Sequence, residues 1–466
     1  MTLDTADLST APTASTERSA TYRDDRAHVF HSWSAQGALD PPVVTRASGS
    51  EFWTEDGTRY LDFSSQLVNV NIGHQHPKLV AAIKDQADKM CTIAPSVAND
   101  ARSEAARLIV ELAPGDLNKV FFTNGGAEAN EYAIRMARGH TGRHKVLTMY
   151  RSYHGATGGS ITMTGDPRRW GSEPGFPGMV KFWGPYPYRS AFHSESEAEE
   201  SERALAHLAD VLMVEGAHNV AAILLEPVVG TNGILMPPPG YLQGVRDLCD
   251  EHGIVFIADE VMAGFGRCGE WFAIDHWDVA PDLITFAKGV NSGYVPLGGV
   301  IISERVAETY ASQVFPGGLT YSGHPLACAS AVASINIFKD EGIIDHARHL
   351  GNDIIGPALD DLVAKHPSVG EVRGLGVFWA IELVRNRDTR EPLVPYNASG
   401  PAAAPMGEVV AACKERGLWP FAHFNRVHVV PPLTTSDDQM REGLAIIDVA
   451  LTVADEYVST ASGGRV

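Results

Sequence analysis

Residues 253–289 read GIVFIADEVMAGFGRCGEWFAIDHWDVAPDLITFAKG. The stretch holds two short apolar runs, 254–258 (IVFIA) and 283–287 (LITFA), each closed by one charged residue, Asp259 and Lys288. Short continuous apolar runs bounded by polar residues read as fully buried strands. Buried strands of this kind belong to parallel sheets, and open parallel sheets bind ligands in the crevice outside their carboxyl ends. If both runs lie in one such sheet, an acid and an amine meet at its mouth.

Working outward, the chain alternates. A strand at 120–122 leads through Asn124-Gly125-Gly126 into a helix ending near Arg138, and a strand at 146–149 precedes SYHGATGGS. A strand at 221–225, a helix at 241–252 and the two runs above follow. Such alternation predicts a mostly parallel sheet sandwiched by helices. The next strand, 298–302, comes after only a Gly/Pro loop. A parallel crossover needs a dozen or more residues, so this strand is expected to run antiparallel.

Upstream, residues 30–63 read as short antiparallel strands with turn chemistry at Glu55-Asp56-Gly57, and helical spacing marks Leu79, Ile83, Ala87 and Met90, then Ala101, Ala105 and Leu108. Downstream come helices over 325–365, a strand at 377–383, a long surface loop at 385–405, a helix at 406–416, a strand at 427–430 and a last helix capped by Ser436. The expected fold is α/β: a large domain with a mixed sheet carrying one antiparallel strand, and a smaller α/β domain from both chain ends. The divisions fall at 1–25 (a mobile tail), 26–76 (the N-terminal part of the small domain), 77–345 (the large domain) and 346–466 (the rest of the small domain).

Composition narrows the function. Among 466 residues, 37 Lys and Arg face 57 Asp and Glu, a formal charge of −20. That balance argues against a nucleic-acid partner, which demands a basic footprint. Five widely spaced cysteines contain no C-x-x-C, which indicates neither a disulfide framework nor a zinc ribbon, and fits a reducing, cytoplasmic setting. The first 25 residues lack the apolar core of a signal peptide, and no later apolar run is long enough to span a bilayer.

Several residues could do chemistry. Asp259 in an apolar layer demands a partner, although it also reads as a helix N-cap. Lys288, desolvated, titrates low enough to form a Schiff base, although it also reads as a snorkelling surface lysine. An aspartate on a pyridinium nitrogen together with a lysine on an aldehyde is how a protein holds pyridoxal phosphate. Gly125 and Gly126 sit between a strand and a helix, where backbone N–H groups attract phosphate; the same pair also makes an ordinary tight turn. Tyr153-His154 and Glu226 close two further strands and point to the same crevice. A nicotinamide-dependent dehydrogenase would need G-x-G-x-x-G, which NGGAEAN lacks.

The motifs FFTNGGAEANEYAIRMAR, YHG, LLEPV, FIADEVMAGFGR, PDLITFAKG and LTYSGHP resemble those of class III aminotransferases, fold type I pyridoxal phosphate enzymes. The resemblance implies pyridoxal 5'-phosphate as cofactor, Lys288 as its covalent anchor and Asp259 as partner of its ring nitrogen. It implies Val261 and Tyr153 on opposite ring faces, Gly126 and Ala127 around the phosphate, and Thr320 reaching the phosphate of a neighbouring subunit in a homodimer. HVFHSWSAQ and Asn71-Ile72-Gly73-His74 resemble the ω-amino acid group that uses pyruvate, such as the β-alanine– or taurine–pyruvate types. Many of that group carry an arginine shortly after a GL pair. Here the pair is Gly417-Leu418 and that position is Phe421. Arg426, helped by His423, is the nearest replacement and is expected to bind the keto acid carboxylate; it also reads as a surface arginine in a turn. Trp33, Val68, Trp183 and Tyr186 are candidate pocket walls, or equally core. An aminomutase, a decarboxylase or a non-catalytic binding protein are the rival readings.

Overall fold

Apolar alternation and turn chemistry shape the first sheet. The computed structural model describes residues 18–459. β1 (Val44–Ser48), β2 (Glu51–Thr54) and β3 (Arg59–Asp62) form an antiparallel meander. Asp56 makes its turn, accepting from the Thr54 hydroxyl at 2.6 Å and the Thr58 N–H at 3.0 Å. Most of the expected tail at 1–25 lies outside the described residues, and the part from Ala20 is not a tail: Ala20–His28 is a helix capped by Ser19.

The large sheet has seven strands: β4 (Leu117–Thr123), β5 (Lys145–Met149), β6 (Met179–Phe182), β7 (Val220–Leu225), β8 (Val255–Asp259), β9 (Leu283–Phe286) and β10 (Gly298–Ser303). Their spatial order is β4-β10-β9-β8-β7-β5-β6. β10 runs antiparallel to both neighbours, as its short connection required, and every other pair is parallel. Side chains alternate between two apolar layers. Val255 and Ile257 pack with Ala129, Ala133 and Ala137 of the helix Gly126–Thr141. Phe256 and Ala258 pack on the other face with Leu208 and Val245 of the helices Glu197–Glu215 and Tyr241–His252. This period of two puts Asp259 on the same face as Val255, towards the helix that begins at Gly126.

The C-terminal part builds an antiparallel sheet from β11 (Val369–Leu375), β12 (Phe378–Asn386), β15 (Phe421–His423) and β16 (Arg426–Val429), with β13 (Glu391–Pro392) beside β12. β14 (Leu418–Trp419) joins the first sheet instead, parallel to β3 through Leu418↔Leu61 and Trp419↔Asp62. Leu61, Phe63 and Leu79 accordingly share one core with Leu444, Ile447 and Leu451 of the last helix, Asp437–Asp455. Ser436 caps that helix in a reciprocal box with Gln439. The segment 385–405 is not all surface, since Leu393 and Val394 are buried. Among the described residues no helix is long and apolar enough to cross a membrane.

Candidate active site

β8 delivers Asp259 as its last residue, with no helix behind it, so the N-cap alternative does not hold. The carboxylate is 3% exposed and fully organised. Oδ2 accepts from Asn130 Nδ2 at 2.8 Å and faces His154 Nδ1 at 2.7 Å, while Oδ1 accepts from the Val261 N–H at 3.0 Å. Asn130 is itself held by the Thr285 hydroxyl, which donates to its Oδ1 at 2.8 Å. His154 Nε2 lies 3.0 Å from the Thr148 hydroxyl. The acid therefore sits in a buried polar network whose members come from five segments of chain.

Lys288 follows β9 at φ 44°, a backbone conformation side chains rarely adopt and one that clusters at functional sites. Burial pulls its amine below the ordinary lysine range, opposed by the Asp259 and Glu226 carboxylates and aided by the Arg168 charge. Asp259, Lys288 and Glu226 line one cavity of about 420 Å³ with Gly125, Gly126, Ala127, Tyr153, His154 and Val261. The sheet mouth thus brings together the acid, the amine and the first Gly-rich loop.

Glu226 is neither solvated nor paired with a cation. Its oxygens accept from the Tyr153 N–H at 2.9 Å and the Gly230 N–H at 2.8 Å, and burial lifts its pKa to about 7. Gly126 opens its helix, and a Cβ there would lie 2.6 Å from Val261 Cγ1. Gly155, at φ 136°, likewise admits Ala127, whose Cβ would lie 2.5 Å from an added one. Only glycine lets these three segments converge around the cavity.

The remaining candidates divide. Arg426 is 2% exposed, not a surface residue; its Nε reaches Glu382 Oε2 at 3.4 Å, and its Nη1 has no partner among the described residues. His423 is pulled down to about 4 by burial, and its Nε2 is also without a partner there. Phe421 is half-buried and edge-on to His428. Trp33 and Trp183 are 64% and 42% exposed and do not line the cavity; Trp183 packs on Tyr150 instead. Val68 is core, packed with Val228 and Ile234, while its neighbours Leu67 and Asn69 reach the cavity. Tyr186 is buried with its hydroxyl on Glu382. Thr320 is exposed and lies outside the cavity of its own chain.

Sequence reasoning missed Arg168, whose guanidinium lies 3.6 Å from the Tyr153 ring centroid while paired with Asp166. It also missed Asn130, one helical turn beyond Gly126, and Thr231 and Met262 on the cavity wall. The only signal was for Asn130 and Met262, which lie inside the quoted motifs FFTNGGAEANEYAIRMAR and FIADEVMAGFGR; Arg168, in GDPRRW, and Thr231 lie outside every quoted motif.

The profile of the family Aminotransferase class-III matches residues 34–451. The chain belongs to that family. It is 43% identical to taurine:2-oxoglutarate aminotransferase from Bifidobacterium kashiwanohense, solved in complex with PLP and glutamate, with a TM-score of 0.90 over 94% of this chain and 98% of that one. It is 31% identical over 453 residues to the taurine–pyruvate aminotransferase of Bilophila wadsworthia, covering 93% of this chain and 97% of the other. To the 4-aminobutyrate aminotransferase of Escherichia coli it is 35% identical over 420 residues, covering 88% and 93%. Class III aminotransferases use pyridoxal phosphate and move an amino group from an amine donor to a keto acid, and this chain is such an enzyme.

Proposed function

We propose that the cavity between Asp259 and Lys288 is where this class III aminotransferase holds pyridoxal 5'-phosphate and works on ω-amino acids or amines, with a keto acid such as pyruvate as acceptor. The observation that carries the assignment is the buried acid and the desolvated amine facing one cavity. The donor set fits the cofactor. Asp259 keeps one cavity-facing carboxylate edge for a protonated ring nitrogen, Val261 and Tyr153 offer apolar walls for a flat ring, and Gly125, Gly126 and Ala127 present a helix N-terminus to its phosphate. His154 and Glu226 fix the acid and the Tyr153 backbone.

When bound, the cofactor supplies an aldehyde for the amine and a ring that accepts an electron pair. Asp259 serves by keeping that ring protonated. Lys288 Nζ, with its lowered pKa, would take the proton from the donor carbon as general base and hand it on to the cofactor's C4′ as general acid within the same half-reaction, and in the second half-reaction would carry the proton the opposite way. The walls exclude water. Arg426, with His423 and Phe421 beside it, receives the keto acid carboxylate; its unpartnered Nη1 supports that role.

The chain works as a homodimer in which Thr320 serves the phosphate of the other copy. Support comes from exposed apolar residues around that loop, Val314 at 91% and Tyr321 at 61%, next to a groove shared by Pro95 and Leu319. On the proposed division at 77 and 345 the large part would hold the cofactor and Arg426 of the small part the acceptor carboxylate. The cysteines, all free, suit a cytoplasmic enzyme.

Donors including β-alanine and taurine, offered with pyruvate and scored by alanine formed, test the function. Lys288→Ala is expected to lose about 10²–10⁴-fold in rate, together with the covalent borohydride label at that residue. Arg426→Ala with an unaltered KM for pyruvate would refute the carboxylate role.

A further inference from the structure

The segment Ser65–Val68 carries left-handed backbone at three residues, none of them glycine. Ser65 stands at φ 43°, Gln66 at φ 61° with ψ −97°, and Val68 at φ 55°. Gln66 is close to the positive-φ γ-turn, a rare and strained geometry. A β-branched residue such as Val68 is an outlier there as well. Strain of this kind persists only where the surroundings over-determine it, and it clusters at functional sites.

Asp62, the last residue of β3 and fully buried, supplies most of that determination. Its Oδ1 accepts from the Ser64 N–H at 3.1 Å, the Ser64 hydroxyl at 2.7 Å and the Gln66 N–H at 3.3 Å. Its Oδ2 accepts from Gln66 Nε2 at 2.9 Å and faces His74 Nε2 at 2.9 Å. Both ends of the segment are pinned. The Ser65 hydroxyl donates to the Val430 carbonyl at 2.7 Å, and Val68 packs in the core with Val228 and Ile234. Just beyond, Asn69 Oδ1 accepts from the Leu67 N–H at 3.1 Å, and Asn69 Nδ2 donates to the Ser292 carbonyl at 3.3 Å, in the loop after Lys288.

Between these anchors Leu67 is turned away from the core. It is 54% exposed and lines the cavity that holds Asp259 and Lys288, whereas Asp62 does not line it. A leucine fixed on a pinned turn is a ready apolar wall, and methylenes resting on it gain in proportion to the area buried. A short donor gains little from that wall, and a longer one gains more.

We propose that Asp62, braced by His74, is a positioning residue for donor discrimination: it winds Ser65–Val68 left-handed and so holds Leu67 on the cavity wall. This rests on the reading of that cavity as the place where the amine donor binds.

The test is a double-mutant cycle between Asp62 and Leu67, read as the ratio of kcat/KM for 6-aminohexanoate to that for β-alanine with pyruvate as acceptor. Asp62→Ala and Leu67→Ala should each lower the ratio fivefold or more, and the double variant should fall no further than Leu67→Ala alone. Asp62→Asn, which keeps one acceptor oxygen for Ser64 and the Gln66 N–H, should lower it by less. If Asp62→Ala does not fold, Gln66→Ala, which cuts one arm of the network at an exposed side chain, takes its place under the same criterion. A ratio that moves less than fivefold, or losses that simply multiply in the double variant, overturns the proposal. A wild type that uses neither donor sinks the donor reading separately. Calorimetry on the holoenzyme with hexanoate and propionate, which have no amine to react, then decides Asp62 by the same cycle and the same thresholds.

Discussion

Asn130 and Asp259 meet at 2.8 Å, and the direction of that hydrogen bond is set from elsewhere. Because Thr285 donates to Asn130 Oδ1, the amide must present Nδ2 to the carboxylate. The helix behind the Gly-rich loop and the strand that leads to Lys288 therefore jointly aim the acid. Removing the amide with Asn130→Ala forfeits a charge-assisted bond, roughly 1.5–3 kcal/mol. That translates into about a tenfold to hundredfold fall in kcat. Asn130→Asp, which sets a second carboxyl against Asp259, should cost more and should shift the pH profile of kcat. Equal, pH-independent losses in both variants would show that Asn130 only supports the fold.

Crowding between Gly126 and Val261 can be relieved from either side. Gly126→Ala places a methyl 2.6 Å from Val261 Cγ1, so the variant should lose on the order of 1–3 kcal/mol of stability and bind its cofactor more weakly. Trimming the neighbour should restore part of both losses. The double variant Gly126→Ala, Val261→Ala is the measurement, read as melting temperature and cofactor Kd; simple addition of the two single effects would show that the contact is not the cause.

The acid limb of stability should carry the mark of His423. Burial holds its pKa at about 4, below the ordinary histidine value of 6.5. Between those values the unfolded chain binds more protons than the folded one, so stability falls as pH drops from about 6.5 to 4 and is constant above. The full contribution is on the order of 2–3 kcal/mol. His423→Leu should flatten that limb in chemical unfolding at pH 4.5 and leave the curve near pH 8 close to wild type in shape.

Arg267 is fully buried and ties four distant segments. Its Nη1 donates to the Val377 carbonyl at 3.1 Å and the Pro431 carbonyl at 2.6 Å, and Nη2 to Ser65 Oγ at 3.2 Å and Asn71 Oδ1 at 2.8 Å. Arg267→Ala leaves those acceptors buried and empty, and should destabilise the chain by roughly 3–5 kcal/mol. Arg267→Lys, with a charge but no fork, should recover less than half of that in thermal unfolding.

The meeting of Asp259 and Lys288 at one cavity was legible because each closes an apolar run: Asp259 ends β8, and Lys288 lies two residues past β9. The antiparallel β10 followed from loop length alone, and the Ser436 cap from local chemistry. Elements with weak burial signals went unread. β6 is an edge strand with only Phe182 fully buried, and the helix Glu197–Glu215 opens on an acidic run whose Glu200 is buried to accept from the Tyr186 N–H at 2.7 Å. The acceptor side was the least readable. Arg426 was singled out in the sequence but also read there as a surface arginine in a turn, and only tertiary folding, which sets it against Glu382 of another strand, shows that it is buried. Trp33 and Val68 show the converse: residue type suggested a pocket wall, and one lies exposed while the other is core.

The pairing of β14 with β3 has a consequence for biosynthesis. Leu61 and its strand leave the ribosome long before Leu418 does, since about 350 residues intervene, which at 5–20 residues per second is roughly 20–70 s of translation. For that interval the β3 edge of the N-terminal ribbon is uncovered and an apolar face at Leu61 and Phe63 is unclaimed. A nascent chain stalled before Leu418 should therefore recruit chaperones at this ribbon, and release them once the last strand arrives.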